Sequence, residues 1–161
     1  PDNPVYGVND SKKLSKKVRE ELSAEIREKC IAYGIGMASP GRIDEINILN
    51  ATYEAMREAI KKLTVKPDIL LNDAVTIPEV DIEQVPIIKG DAKSVSIGAA
   101  SIIAKVYRDE LMTGYEDMYP GYGFSHNMGY GTAGHIAAIK SLGLTDIHRR
   151  TFTKNFITNG E

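Results

Sequence analysis

The stretch "VPIIKGDAKSVSIGAASIIAKVYRD", Val85 to Asp109, decides the fold. It passes from a short apolar run through a Lys-Gly-Asp turn into a long segment of small and apolar residues, the pattern of a strand feeding a helix. Upstream, "PDILLND" (67–73) is another short apolar run with a polar end, and predicts a buried strand. Residues 74–84 between them read as an irregular or edge connection. Further back, Ile43, Ile46, Leu49, Tyr53, Met56, Ile60 and Leu63 keep helical spacing behind a Ser39 cap, with Pro40 at the first helical position. In "IAYGIGMA" (31–38) bulky Ile31, Tyr33, Ile35 and Met37 alternate with small residues. That spacing predicts a strand whose smooth face is closely approached by another element. Leu14, Val18, Leu22 and Ile26 make one face of a first helix, capped by Ser11 or Ser15, with Glu25 and Lys29 paired one turn apart. At the other end, "YPGYGFSHNMGYGTAGHIAAIKSLG" predicts a glycine- and tyrosine-rich loop running into a last helix, capped by Thr132 and stopped by Gly143. Strands alternating with long helices predict an α/β fold, and the whole of 1–161 reads as a single domain.

The 161 residues suffice for one proper core, and the apolar and charged shares, 42% and 26%, are ordinary for a soluble globular chain. A formal charge of −2 argues against a protein that simply coats nucleic acid, but not against an enzyme that binds it through a local patch. Basic residues gather at Lys12, Lys13, Lys16, Lys17 and Arg19, and again at His148, Arg149 and Arg150. On charge alone the first group is a solvated helix face. Cys30 is the single cysteine, which excludes an internal disulfide and a cysteine-rich zinc site. No apolar run approaches a membrane span and no secretory signal opens the chain, so a cytoplasmic setting is expected.

The chemistry turns on carboxylates. If 91–109 is one helix, its ends lie roughly 27 Å apart at about 1.5 Å per residue. Paired catalytic metals sit about 3.5–4 Å apart, so Asp91 and Asp109 cannot serve one centre. Asp109, beside Arg108 and one turn after Lys105, has a surface ion pair as its plain explanation. Asp91 is either a helix cap or a reaction-centre carboxylate. Asp73, at the end of an apolar run, poses the same choice. Two carboxylates at adjacent strand ends can hold Mg²⁺ or Mn²⁺ through oxygen.

Six segments then occur in order: "NDSKKLS", "DEINILNAT", "IIKGDAKSVSIGAASIIAKVYRD", "YPGYGF", "GYGT" and "IHRRTF". Over nearly the whole chain they resemble bacterial ribonuclease HII. The resemblance implies a ribonuclease H-like fold, a mixed central sheet flanked by helices with a C-terminal helical and loop region. It implies an endonuclease that cuts the RNA strand of RNA–DNA hybrids and nicks DNA 5′ of embedded ribonucleotides, acting in DNA repair as a monomer. Two divalent metals, Mg²⁺ or Mn²⁺, are held by four carboxylates, and Asp73 and Asp91 match two of these ligands. Tyr130 matches the tyrosine that packs on the sugar at the RNA–DNA junction, and Lys12 a lysine near the substrate backbone. Lys93 and the His148–Arg149–Arg150 cluster are looser matches for phosphate binding.

Gly98, Tyr107, Asn72 and Gly134 depart from the family pattern. A larger departure lies at the start. The family opens on a strand carrying adjacent aspartate and glutamate, followed by a glycine–arginine–glycine turn. Here such pairs occur only as Asp44–Glu45 and Asp109–Glu110, both in helical pattern. The chain is therefore expected to resemble a ribonuclease HII lacking its amino-terminal strands, with two of four carboxylates and an exposed edge along 31–38. Two other readings follow from that: a non-catalytic nucleic-acid-binding remnant, or an interaction domain whose sheet edge recruits a partner strand.

Overall fold

A computed structural model describes residues 3–157. The first two residues of the proline-rich opening and the last four of the single-domain span lie outside the described residues. In chain order the elements are α1 (Lys16–Lys29), α2 (Pro40–Lys61), β1 (Ile69–Asp73), β2 (Glu83–Ile87), α3 (Gly90–Lys93), α4 (Val95–Met118), α5 (Phe124–Asn127), α6 (Ala133–Leu142) and α7 (Arg150–Ile157). The architecture is α/β. Contacts divide the chain into two compact units, one holding residues up to Met37 with Tyr53–Val106, the other Ala38–Thr52 with residues from Tyr107 onward. No helix among the described residues is long and apolar enough to cross a membrane.

In the first unit β1 and β2 pair in parallel, with Ile69 opposite Glu83 and Asp73 opposite Ile87. Gln84 staples the connection between them. Its Oε1 accepts from the Ile77 amide at 2.8 Å and from Asn72 Nδ2 at 2.9 Å, while its Nε2 donates to the Ile77 carbonyl. Asn72, one of the departures from the family pattern, thus serves this staple. Pro86 stands inside β2 opposite Asn72. The buried strand expected at "ILLND" is buried on one side only: Ile69 and Leu71 are 42% and 37% exposed, because the two-stranded sheet has one covered face.

The first core joins Leu22 and Ile26 of α1 to Ile102 and Ile103 of α4, with Val5, Val8, Leu14, Ile35 and Ala99 packed around them. Ser15 caps α1, its hydroxyl accepting from the Val18 amide, and Lys29 meets Glu25 at 2.6 Å. Ser11 has another use: it is buried, and its hydroxyl bonds that of Ser101 at 2.9 Å. The crowding of small residues in α4 fits this packing, since a Cβ on Gly98 would lie 2.9 Å from Val8 Cγ1.

Three expectations need correction. Residues 31–38 join no strand ladder among the described residues. Instead α2 satisfies part of their backbone, Glu58 accepting from the Met37 amide at 2.9 Å and Lys62 donating to the Ile35 carbonyl at 2.9 Å. The smooth face does receive a close neighbour, because Gly34 and Gly36 lie against the Ala59 and Ala55 carbonyls. Helix α2 is broken at Asn47 (φ 69°, ψ 165°), whose side chain then caps the following turn by accepting from the Leu49 and Asn50 amides. The long helix expected in this stretch forms over Val95–Met118, but it does not start at Asp91: Ser94 is extended (φ −124°, ψ 124°), so α3 and α4 are separate.

The second unit is built on Met112, Tyr122, Phe124 and Ile139. Tyr122 and Phe124 stack with centroids 5.4 Å apart. Thr132 caps α6 and Gly143 ends it, as the sequence predicts. That helix is not the last, since α7 follows it.

Candidate functional site

Parallel pairing carries β1 and β2 to the same side of the sheet, where ligands of open α/β sheets gather. Asp73 ends β1, and the next amide, Ala74, donates to Ile87 of β2 at 3.1 Å. After β2 the chain turns at Lys89, and the Gly90 amide donates to Asp73 Oδ1 at 2.8 Å. Asp91 comes next, in the first turn of α3. The structure therefore brings the residue before Asp91 into contact with the Asp73 carboxylate, although seventeen positions separate them. Asp73 is exposed and Asp91 half-buried, so both are open to a ligand.

The turn is held in costly conformations. Ala74 and Lys89, flanking the two strand ends, have φ of 59° and 57°. Non-glycine residues in this region cost on the order of 1 kcal/mol each, and such strain concentrates at functional sites. A side chain at Gly90 would have to displace the tip of Ile97, because its Cβ would meet Ile97 Cδ1 at 2.5 Å. Gly90 is thus the site residue that motif reading overlooks, and a glycine between strand end and aspartate is its signal. The capping role open to Asp91 is not what is observed: the cap position belongs to Lys89, without a side-chain cap bond.

No group of three or more His, Cys, Asp or Glu among the described residues is placed to hold a metal ion. Two carboxylates are nonetheless a suitable oxygen donor set for Mg²⁺, which is commonly bound by one or two carboxylates with substrate phosphates completing the shell.

The remaining acidic candidates have other settings. Asp109 lies on α4 in the second unit and is 6% exposed, so it is buried rather than on the surface where its neighbours led one to expect it. Glu45 pairs with Arg42 at 2.7 Å. Asp44 caps α7, accepting from the Arg150 amide at 2.7 Å, the Thr151 amide at 2.9 Å and the Thr151 hydroxyl. Burial raises its pKa, but the Thr151 and Arg150 hydrogen bonds and the Arg149 charge together hold it below the usual 3.8. A depressed carboxylate stabilises the fold above its unfolded pKa and loses that contribution as pH falls through the folded value. Asp44→Ala should therefore cost about 1 kcal/mol at neutral pH, as for a lost helix cap, and the difference should close below pH 3.8. Urea titrations at neutral pH and at pH 3 check both halves.

Of the residues expected to meet nucleic acid, Lys12 and Lys93 are exposed in the first unit. Tyr130 is 58% exposed in the second unit, with the Arg108 guanidinium 6.0 Å from its ring centre. Arg108 also donates to the Met128 carbonyl at 3.1 Å, so it braces the loop carrying Tyr130. Sequence reading treats Arg108 only as a neighbour of Asp109. Arg150 is exposed. Arg149 is half-buried and lies 3.9 Å over the Phe152 ring; burial and then the Arg108 charge lower its pKa, opposed by Asp44. His148 does not belong with these cations at all, since it is buried and bonded to His135.

Comparison with known proteins bears on this geometry. The family model for Ribonuclease HII matches residues 4–155. The chain is 64% identical over 154 residues to the Ribonuclease HII of Lachnoclostridium phytofermentans, covering 96% of this chain and 61% of that protein. It is 55% identical over 156 residues to that of Clostridioides difficile, covering 97% and 61%. The chain thus spans about three fifths of the length of these relatives. Among solved structures, the ribonuclease H2 of Pyrococcus horikoshii OT3 superposes with a TM-score of 0.75 at 26% identity, over 95% of this chain and 83% of that one.

Proposed function

The chain belongs to the ribonuclease HII family, and from that premise we propose that it serves an endonuclease acting on the RNA strand of RNA–DNA hybrids and 5′ of ribonucleotides embedded in DNA. The observation that supports the reading is the Gly90 amide on the Asp73 carboxylate, which brings the residue before Asp91 onto Asp73. In this proposal Asp73 and Asp91 hold Mg²⁺ or Mn²⁺ as two of the family's carboxylates. A two-metal centre, when formed, activates water and stabilises the leaving oxygen of the phosphodiester. The chain's own part is to present two carboxylate oxygens from a strained turn that resists rearrangement. Lys12, Lys93, Arg149 and Arg150 offer charge to the phosphate backbone, which positions a duplex without reading its sequence. Tyr130 offers an exposed ring to the sugar at the junction. The setting proposed is cytoplasmic DNA repair, with the protein acting as a monomer. The non-catalytic readings are not favoured, since the matched family and the relatives above are named as ribonucleases.

The assay is cleavage of two labelled duplexes with Mg²⁺ or Mn²⁺, one a continuous hybrid and one with a single ribonucleotide in DNA. It is run on this chain alone and with a family-type amino-terminal segment added. Tyr130→Ala should slow cleavage at the single ribonucleotide about tenfold, if a ring packed on the junction sugar is worth as much as one stacked on a base, about 1–3 kcal/mol. The continuous hybrid should change by less than about threefold. Equal losses on both duplexes would remove Tyr130 from junction recognition.

A further inference from the structure

Beneath the glycine-rich loop of the second unit two histidines face each other in the core. His135, on α6, and His148, just before α7, are 5% and 7% exposed, and their Nε2 atoms are 3.2 Å apart. The Tyr122 and Phe124 rings pack against the pair. No role proposed above uses either imidazole.

The protonation of both rings follows from one backbone amide. The Thr145 N–H can only donate, and it points at His148 Nδ1 from 3.0 Å, with the Thr145 hydroxyl on the same atom at 2.8 Å. His148 Nδ1 is therefore an acceptor, and a neutral His148 carries its proton on Nε2. That proton can go only to His135 Nε2, which must then be bare, so His135 carries its proton on Nδ1. His135 Nδ1 lies 2.9 Å from the carbonyl oxygen of Tyr130, which can only accept. Each link fixes the next, and the series ends on the backbone of the tyrosine proposed to meet the junction sugar. The other side of that residue is tied by its amide, which donates to the Asn127 carbonyl at 2.8 Å.

We propose that His148 and His135 are positioning residues, a buried hydrogen-bond relay from the Thr145 amide to the Tyr130 carbonyl that sets Tyr130 for junction recognition. The functional half rests on the reading of Tyr130 given above; the tautomers do not. The relay works only while both rings are neutral. A proton added at His148 Nδ1 would face the Thr145 amide, and one added at His135 Nε2 would face another N–H at 3.2 Å. The groups facing His148 are His135, Tyr122, Phe124 and Thr145. Burial and then His135 push His148 below the usual 6.5, in keeping with a ring held neutral.

Two measurements test it. On the ¹⁵N-labelled protein above pH 7, two-bond proton–nitrogen correlations report each tautomer, with exposed His126 as internal comparison. A bare Nδ1 on His148 and a bare Nε2 on His135 are expected, and the opposite pattern on either ring overturns the relay. The second measurement is discrimination, the affinity for a labelled duplex with one ribonucleotide divided by that for the all-DNA duplex. His135→Phe should lower it threefold or more with all-DNA affinity unchanged, and His135→Asn, which keeps a donor near the Nδ1 position, should recover most of it. Lost discrimination in Tyr130→Ala with none lost in His135→Phe would overturn the relay while leaving Tyr130 in place. No loss in Tyr130→Ala would sink the reading of Tyr130 and the functional half of the relay with it. The tautomer measurement needs no variant, so it decides its half even if a substituted protein fails to fold.

Discussion

Asp91→Asn is expected to lower cleavage of the single-ribonucleotide duplex by about three orders of magnitude, the kinetic equivalent of roughly 4 kcal/mol. Asparagine keeps nearly the shape of aspartate, so the α3 turn and the Gly90–Asp73 hydrogen bond should survive it. What it removes is one negative charge from the proposed centre, where oxygen donors would have to balance divalent cations. Binding of the duplex in the absence of metal should stay within about threefold, because the phosphate contacts proposed above lie with other residues. Asp73→Asn should match the loss of turnover but also weaken the hydrogen bond from Gly90, and so lower stability as well. Cleavage is measured with the amino-terminal segment supplied and Mg²⁺ varied. Turnover within tenfold of the unmodified protein would take Asp91 out of the centre, and a loss recovered at high Mg²⁺ would locate the defect in metal affinity.

The largest effect on stability should come from one methyl group. In Gly36→Ala the new Cβ would stand 1.8 Å from the Ala55 carbonyl oxygen, 2.7 Å from its carbon and 2.8 Å from the Ala59 amide. All three are backbone atoms of α2, so no side chain can swing aside. Overpacking against movable neighbours costs about 1–3 kcal/mol, and a rigid helix backbone should place this variant at or above the top of that range. At a urea slope of about 2 kcal/mol/M, the midpoint should fall by roughly 1.5 M. Gly114→Ala is the control: it lies within α4 with nothing within 4 Å of the added Cβ, and should gain about 0.5–1 kcal/mol. A Gly36→Ala midpoint within 0.3 M of the unmodified protein, on the same slope scale, would mean that 31–38 does not lie against α2 in solution.

Local signals were the legible ones. Ser15, Thr132 and Gly143 act where sequence places them, and the Glu25–Lys29 pair forms, because each involves residues within a turn or so of one another. The break at Asn47 was hidden by apolar spacing that continues through it, and φ 69° with ψ 165° is a conformation that an asparagine does not announce. At 31–38 alternation predicts a strand, but a strand also needs an edge to pair with, and side chains of α2 meet part of this backbone instead. The placement of Asp73 at a strand end was available from pattern, whereas the Gly90 amide on its carboxylate is a product of the parallel register. Asp44 as the cap of α7, more than a hundred positions away, and the facing imidazoles could not be read at all. Both are tertiary contacts between residues whose local patterns are unremarkable.

Pro86 gives the small sheet a direction of growth. The Ala74 amide reaches the Ile87 carbonyl, so Ile87 turns its peptide groups toward β1 and Pro86, one position earlier, turns its own outward. Proline has no N–H to offer there, and a strand approaching the free side of β2 would find a gap in its ladder. The free side of β1 has no such gap, since Ile69, Leu71 and Asp73 all keep their amides. Extension by another strand, whether from this polypeptide, a second copy or a fibril, is thereby admitted beside β1 and obstructed beside β2.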